Sequence, residues 1–384
     1  MRNRNVLLIG ISIFALNFAL GVHMSTWMNF LKQALGLPVV SIGIIEGIRE
    51  VPGLISVLLV AALVVLSHRT AAGVCLIVFA VGMAGYFLVQ GLPSLVIVSI
   101  LWSLGFHVWL PFSSSMVLDT APRGREGSHV GAMQSVGYGA MFVGLLMVLA
   151  LGKLWQMGIL PVAPYRPAYL FAGIVGLGGA VACFAIEKNI GRTPPRRLLW
   201  RRKYRLYYLL MFLEGCRKQI FLTLATLVLV KRYDAEVQHI AAMMIVYNFA
   251  NWFGAPLLGR AIDRIGERPV MTFNYSGLIL VFSGYALFQQ RFALYLLYCI
   301  DNLFNIFNMA LTTYLKRIAE PADIAPSLAM GVTANHLASV IAPILACLAW
   351  EHIDYRIPFI VGAVIASCSL VCAQWVCAAG QQKT

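Results

Sequence analysis

An acid, an arginine and a further charge recur at helical spacing in two stretches apolar enough to cross a bilayer. Glu46, Arg49 and Glu50 stand at i, i+3 and i+4, so one helical face carries all three with a net charge of −1. Glu214, Arg217 and Lys218 repeat the spacing with a net charge of +1. At about 1.5 Å per residue, Glu50 and the second trio fall near mid-depth, with Glu46 nearer the outside. Ionisable groups at that depth cost several kcal/mol unless paired or hydrated, which makes each a functional candidate. Apolar residues would pack there at lower cost, and each trio leaves one charge without a local partner.

Other spans add Asp301, Asn302, Asn305 and Asn308, then His107, then Asn335 with His336. Asp301, Asn305 and Asn308 share a helical stripe that Asn302 borders. Burial makes a carboxylate hold its proton and a nearby cation loosens it, so an acid meeting each side in turn can carry a proton. Glu46, Glu50, Glu214 and Asp301 are eligible. Asp301 and Glu50 are favoured, because Glu214 has two cations within a helical turn. The surplus cation beside Glu214 would attract a carboxylate or phosphate, pointing to an anionic or zwitterionic cargo. A lone histidine such as His23 or His107 equally suits a packed core.

Composition removes the soluble classes. Of 384 residues, 60% are hydrophobic and 11% charged, with mean hydropathy +0.81, against roughly 25% charged in ordinary domains. The net charge of +14 does not indicate nucleic acid, because no soluble segment is long enough to form a basic folded face. Most Lys and Arg fall in the N-terminus, the even-numbered loops and the C-terminus. Lys32, Lys153, Arg166, Lys231, Arg232, Arg291 and Arg356 occupy the opposite loops. That asymmetry predicts cytoplasmic termini. The eight cysteines sit in apolar spans without zinc-type spacing, so no metal site is expected. No cleavage pattern follows the first apolar run, so no cleaved signal peptide is expected.

A window of about twenty apolar residues predicts an all-α membrane protein of about twelve transmembrane helices. They run near 5–27, 39–64, 73–90, 94–117, 129–151, 167–186, 206–230, 237–259, 269–288, 292–315, 327–349 and 357–379. A basic cytoplasmic linker, residues 188–204, separates an N-terminal half, 1–187, from a C-terminal half, 205–384. Tyr165-Arg166-Pro167 and Tyr355-Arg356-Ile357-Pro358 open the sixth and twelfth spans, a faint repeat.

Between two spans lies Gly259-Arg260-Ala261-Ile262-Asp263-Arg264-Ile265-Gly266-Glu267-Arg268, a charged turn that belongs in water at the membrane surface. It resembles the loop signature of the major facilitator superfamily, G-x-x-x-D-R-x-G-x-[RK]. The first-half counterpart, Ser67-His68-Arg69-Thr70, has lost the acid and the glycines. The resemblance implies two pseudo-symmetric six-helix halves rocking about a central cavity lined by the first, fourth, seventh and tenth helices. It makes His107, Glu214, Arg217, Lys218, Asp301, Asn302, Asn305 and Asn335 cavity residues. Glu46, Arg49, Glu50, Asp301 and His336 become proton-coupling or gating residues, with Glu50 and His336 as a pair. In the signature, Asp263 can accept hydrogen bonds from the helix that begins near Gly127-Ser128, while Arg264 and Arg268 grip helix-terminal carbonyls or acids across the seam between the halves. Gly259 permits close approach and Gly266 a positive backbone torsion.

The function expected is secondary active transport of a small solute, driven by a proton gradient with no other cofactor. The expected setting is a monomer among the lipids of a bacterial inner membrane. Two readings compete: an efflux pump for amphipathic compounds, and a receptor or scaffold that kept the fold. Gly137 to Gly144 carries glycines without the proline usual in efflux branches, and Trp109, Tyr138, Tyr247, Trp252 and Phe307 could line an amphipathic pocket. An enzyme is not expected, since HExxH, GxSxG and Walker patterns are absent.

Overall fold

The computed structural model describes residues 2–31, 35–37, 39–63, 65–161, 165–191, 201–233, 235 and 237–376. Among these the chain is helical and contains no strand, as continuous apolar runs require where backbone groups must satisfy one another. The helices are α1 (Arg2–Asn29), α2 (Val39–Leu54), α3 (Ser56–Leu63), α4 (His68–Gly85), α5 (Leu92–Thr120), α6 (Glu126–Gln156) and α7 (Tyr165–Ala185). Then follow α8 (Arg205–Tyr233), α9 (Val237–Ile265), α10 (Glu267–Leu287), α11 (Arg291–Phe304), α12 (Met309–Ile318), α13 (Ile324–His352) and α14 (Ile357–Ala373). Seven helical stretches among the described residues are long and apolar enough to cross a bilayer, and α14 is a shorter apolar helix.

Three departures from the apolar windows have local causes. The expected helix 39–64 is distorted at Ile55, between α2 and α3, although Ile55 N–H still bonds the Val51 carbonyl at 3.2 Å; Pro52, inside α2, cannot donate to the helical ladder. The expected helix 292–315 is divided into α11 and α12 by a 3-10 turn, Asn305–Asn308. There asparagine amides compete with the backbone: Asn302 Nδ2 donates to Tyr298 O at 2.9 Å, and Asn305 Nδ2 to Asn302 Oδ1 at 3.4 Å. The expected surface turn 259–268 is mostly helix. Helix α9 continues to Ile265, and the reversal is Gly266 alone, at φ 83° and ψ 173°, before α10 begins.

The contacts divide the chain into two compact units. One comprises residues 1–121 and 133–198; the other comprises 122–132 and 199–384. The first turns of α6 thus belong to the second unit.

The first unit is built on close helix crossings and an aromatic core. Gly21 of α1 abuts the Met141 carbonyl of α6, and Gly144 of α6 abuts Phe18 of α1. Gly137 faces Asn17, so the glycines of α6 serve to bring it against α1. Near α4, His23 is buried among Trp27 and Trp102, each 4.7 Å away between ring centres, with Tyr86 and Tyr169 beyond. Trp102 Nε1 donates to Tyr86 Oη at 2.7 Å, which gives the buried indole its partner. Arg69, expected in a loop, lies in the first turn of α4 and donates to the Ile186 carbonyl at 2.8 Å, closing the end of α7.

A Cβ at Gly82 would strike the backbone of Trp102, whereas one at Gly10 meets nothing within 4 Å. Alanine should normally favour a helix by about 1 kcal/mol over glycine. Gly10→Ala should therefore keep or raise the apparent melting temperature. Gly82→Ala should lower it, by about 2 kcal/mol of stability, since backbone cannot yield. Equal shifts measured on the purified variants would contradict the crossing.

The second unit packs α8, α10, α11, α13 and α14 around Phe221, Phe282, Tyr285, Tyr298 and Phe359. Just before α8, Tyr204 Oη donates to Asp323 Oδ2 at 2.7 Å, and Arg201 Nε lies 3.2 Å from the same oxygen. Burial pushes the Tyr204 phenol above its ordinary range. These contacts tie the start of α8 to the start of α13.

Candidate functional site

Glu214 and Arg217 are one helical turn apart on α8 and share a face. Arg217 presents its fork to Glu214, with Nη2 donating to Oε1 at 2.5 Å and Nε to Oε2 at 3.1 Å. Its remaining edge reaches α11, where Nη1 donates to Asp301 Oδ1 at 3.0 Å. Glu214, Arg217 and Asp301 are only 3%, 2% and 4% exposed. From the 3-10 turn, Asn308 Nδ2 donates to Glu214 Oε1 at 3.2 Å. Partners of the cluster therefore come from α11 and from the end of the 3-10 turn that follows it: Asp301 and Asn308.

With both acids ionised, two carboxylates face one guanidinium and the trio carries one excess negative charge. The expected surplus cation on α8 is not Arg217. That arginine is fully engaged by two carboxylates, and Lys218, about 100° further round the helix, is exposed. Burying an unbalanced charge is costly, so a cluster of this composition favours gaining a proton or a counter-cation.

The flanking residues are positioned by the same elements. Gly215 brings α8 against the Asn335 backbone of α13, and Asn335 Nδ2 donates to Met211 O at 3.3 Å. Asn251 Nδ2 of α9 donates to Asn302 O at 2.9 Å, which anchors α11 next to Asp301. Glu214, Arg217, Asp301 and Asn308 thus meet directly. Asn302, Asn305 and Asn335 border them.

In the first unit, Arg49 Nη2 pairs with Glu50 Oε1 at 2.9 Å, and its guanidinium lies 5.4 Å from the centre of the Trp102 ring. Ser103 Oγ donates to the Arg49 carbonyl and lies 3.0 Å from His107 Nδ1. His107 is buried on α5, with Nδ1 also 2.9 Å from the Ser103 carbonyl. The Glu46 side chain lies outside the described residues. Glu50 belongs to the first unit and His336, on α13, to the second.

At the signature, Gly127 N–H donates to Asp263 Oδ1 at 2.6 Å and Ser128 N–H to Oδ2 at 2.7 Å. The Ser128 hydroxyl also donates to Oδ2. A carboxylate thus satisfies the first amides of α6, where the helix end carries partial positive charge. Gly259 makes this approach possible, because a Cβ there would collide with the Gly127 carbonyl. Arg264 is exposed. Arg268 differs from expectation: it reaches Gln374 Oε1 beyond α14 at 3.3 Å, a contact inside the second unit. Sequence reasoning passed over Glu267, whose buried carboxylate is 2.8 Å from Arg317 Nη1 of α12. The direct roles of Asn308 and Ser103 were likewise missed, although Asn308 shares the Asp301 stripe and Ser103 stands one helical turn before His107.

Residues 206–379 match the sequence model of the Major Facilitator Superfamily. Among curated protein sequences none matches this chain. Solved structures similar along nearly the full length include the human organic anion transporter MFSD10 (TETRAN), with a TM-score of 0.75 and 14% identity over 97% of this chain and 99% of that one. The proton:xylose symporter XylE has a TM-score of 0.75 and 14% identity over 98% of this chain and 96% of that one. FucP, the E. coli fucose:proton symporter, in its outward conformation has a TM-score of 0.76 and 12% identity over 97% and 98%. At these identities the likeness is one of fold. The sequence match to the superfamily covers residues 206–379, and the solved structures add that the chain shares the fold of these transporters.

Proposed function

We propose that the protein is a proton-coupled secondary transporter that moves a small solute by alternating access between two six-helix halves. What supports the reading is the charge count at Glu214, Arg217 and Asp301: two buried acids share one cation. One proton makes the trio neutral. Asp301 is the acid that takes it, since Glu214 keeps two guanidinium bonds and the Asn308 amide. Protonated Asp301 holds Arg217 less tightly, which loosens α11 from α8 while Asn308 still ties the end of the 3-10 turn to Glu214. Release of the proton to the opposite side restores the bridge.

The Asp263 contact with the start of α6 acts as a latch, made in one state and broken in the other. The anionic or zwitterionic cargo expected from the sequence rested on a surplus cation beside Glu214. With Arg217 engaged, the cluster itself favours a proton, and the cargo is carried here only as a small-molecule solute. The setting is a bacterial inner membrane and the working form a monomer.

The test uses purified protein in proteoliposomes with an imposed proton gradient and a panel of labelled small solutes. At least one solute should accumulate only with the gradient. Asp301→Asn should lose gradient-driven accumulation by tenfold or more yet keep exchange of solute for solute. Accumulation that survives in Asp301→Asn, or ignores the gradient, would exclude the coupling.

A further inference from the structure

The chain enters α8 with more positive charge than its neighbours can balance. From Lys188 to Arg205 the sequence holds eight Lys and Arg and no Asp or Glu. Four of these cations, Arg201, Arg202, Lys203 and Arg205, stand in or beside the 3-10 turn Arg202–Tyr204 that opens α8. The end of α12 and the turn before α13 carry Lys316, Arg317, Glu320 and Asp323, which balance one another, and the last turn of α14 carries no charge. The surplus therefore survives when every acid of these elements is counted.

Only two of the four cations are engaged. Arg201 Nη1 and Lys203 Nζ donate to Glu320 Oε1 at 3.1 Å and 3.2 Å. Arg201 is also held by the buried Asp323, the acid that Tyr204 bonds. Lys203 has the weaker tie: it and Glu320 are both nearly half exposed, and water and salt screen such a pair. Arg202 and Arg205 are exposed and have no partner among the described residues. Their depth follows from the helix. Leu209, one turn on from Arg205 and on the same face, is exposed on the apolar surface of α8. Arg205 thus stands one turn above a lipid-facing side chain, at the level of the headgroups.

We propose that the start of α8 is a docking surface for anionic phospholipid, with headgroup phosphates on Arg202 and Arg205 and with Lys203 passing from Glu320 to the lipid. Arg201 stays on Asp323 and keeps the turn in place. Each cation near an anionic membrane surface strengthens binding about fivefold, which a screened pair with Glu320 does not match. The test places full-length protein in nanodiscs of equal parts phosphatidylcholine and phosphatidylglycerol, and native mass spectrometry reads the ratio of the two lipids that the protein retains. Phosphatidylglycerol should be enriched, and Arg202→Gln with Arg205→Gln should lower the enrichment about threefold or more. Lys153→Gln with Arg260→Gln removes the same charge from two other exposed positions and should lower it much less. Glu320→Gln frees Lys203 and should raise it. A double variant no different from the Lys153 and Arg260 pair, or enrichment that does not rise in Glu320→Gln, would overturn the proposal.

Discussion

Arg217→Ala is expected to cost the folded protein about 3–5 kcal/mol, the range for removing one partner from a buried ion pair. The loss is large because Glu214 and Asp301 would face one another, buried, with no cation between them. Both must then be protonated or the site must open to water. Adding Glu214→Gln and Asp301→Asn to Arg217→Ala removes both stranded charges and should restore most of the lost stability. Apparent melting temperatures of the single and triple variants check this. A triple variant no better than Arg217→Ala would mean that packing, not charge, holds the site. Asp301→Asn alone should be mild, since it leaves Glu214 and Arg217 balanced.

Asp263→Ala should raise amide hydrogen exchange at Gly127 and Ser128 by tenfold or more. The first amides of a helix have no intrahelical acceptor, so their protection rests on the Asp263 carboxylate. Hydrogen bonds to a charged group are worth about 1.5–3 kcal/mol each, and 1.4 kcal/mol is a factor of ten. Ser128→Ala keeps both amide bonds and should change exchange much less. If the latch operates in transport, Asp263→Ala also slows solute exchange with insertion intact. Unchanged exchange at Gly127 and Ser128 in Asp263→Ala would show that the carboxylate does not hold them.

How far the sequence reached depended on the range of the interaction. The pairing of Glu214 with Arg217 follows from a spacing of three on one helix, as does the stripe of Asp301, Asn305 and Asn308. Positive φ at Gly266, close approach at Gly259 and the Asp263 contact with Gly127 and Ser128 were also legible, because each residue type has a local reason to be there. The bond from Arg217 to Asp301 spans 84 residues, and no local spacing encodes it. That bond decides the sign of the excess charge, so the sequence alone assigned the surplus to a cation. Helix ends were misjudged where charge masked continuity: Arg260 and Arg264 read as a surface turn, yet cations suit the last turns of a helix such as α9. The 3-10 turn at Asn305–Asn308 was hidden because asparagines that compete with the backbone look, in sequence, like residues lining a cavity.

The central claim is that Glu214, Arg217 and Asp301 together bind one proton, and infrared spectroscopy of the protonated-carboxyl stretch tests it most directly. Difference spectra between alkaline and acidic buffer should show one buried carboxyl that loads a proton in the unaltered protein. That band should vanish in Asp301→Asn and also in Glu214→Gln, since either change leaves one acid against one arginine. A band that persists in both variants, or its absence from the unaltered protein, would contradict the account.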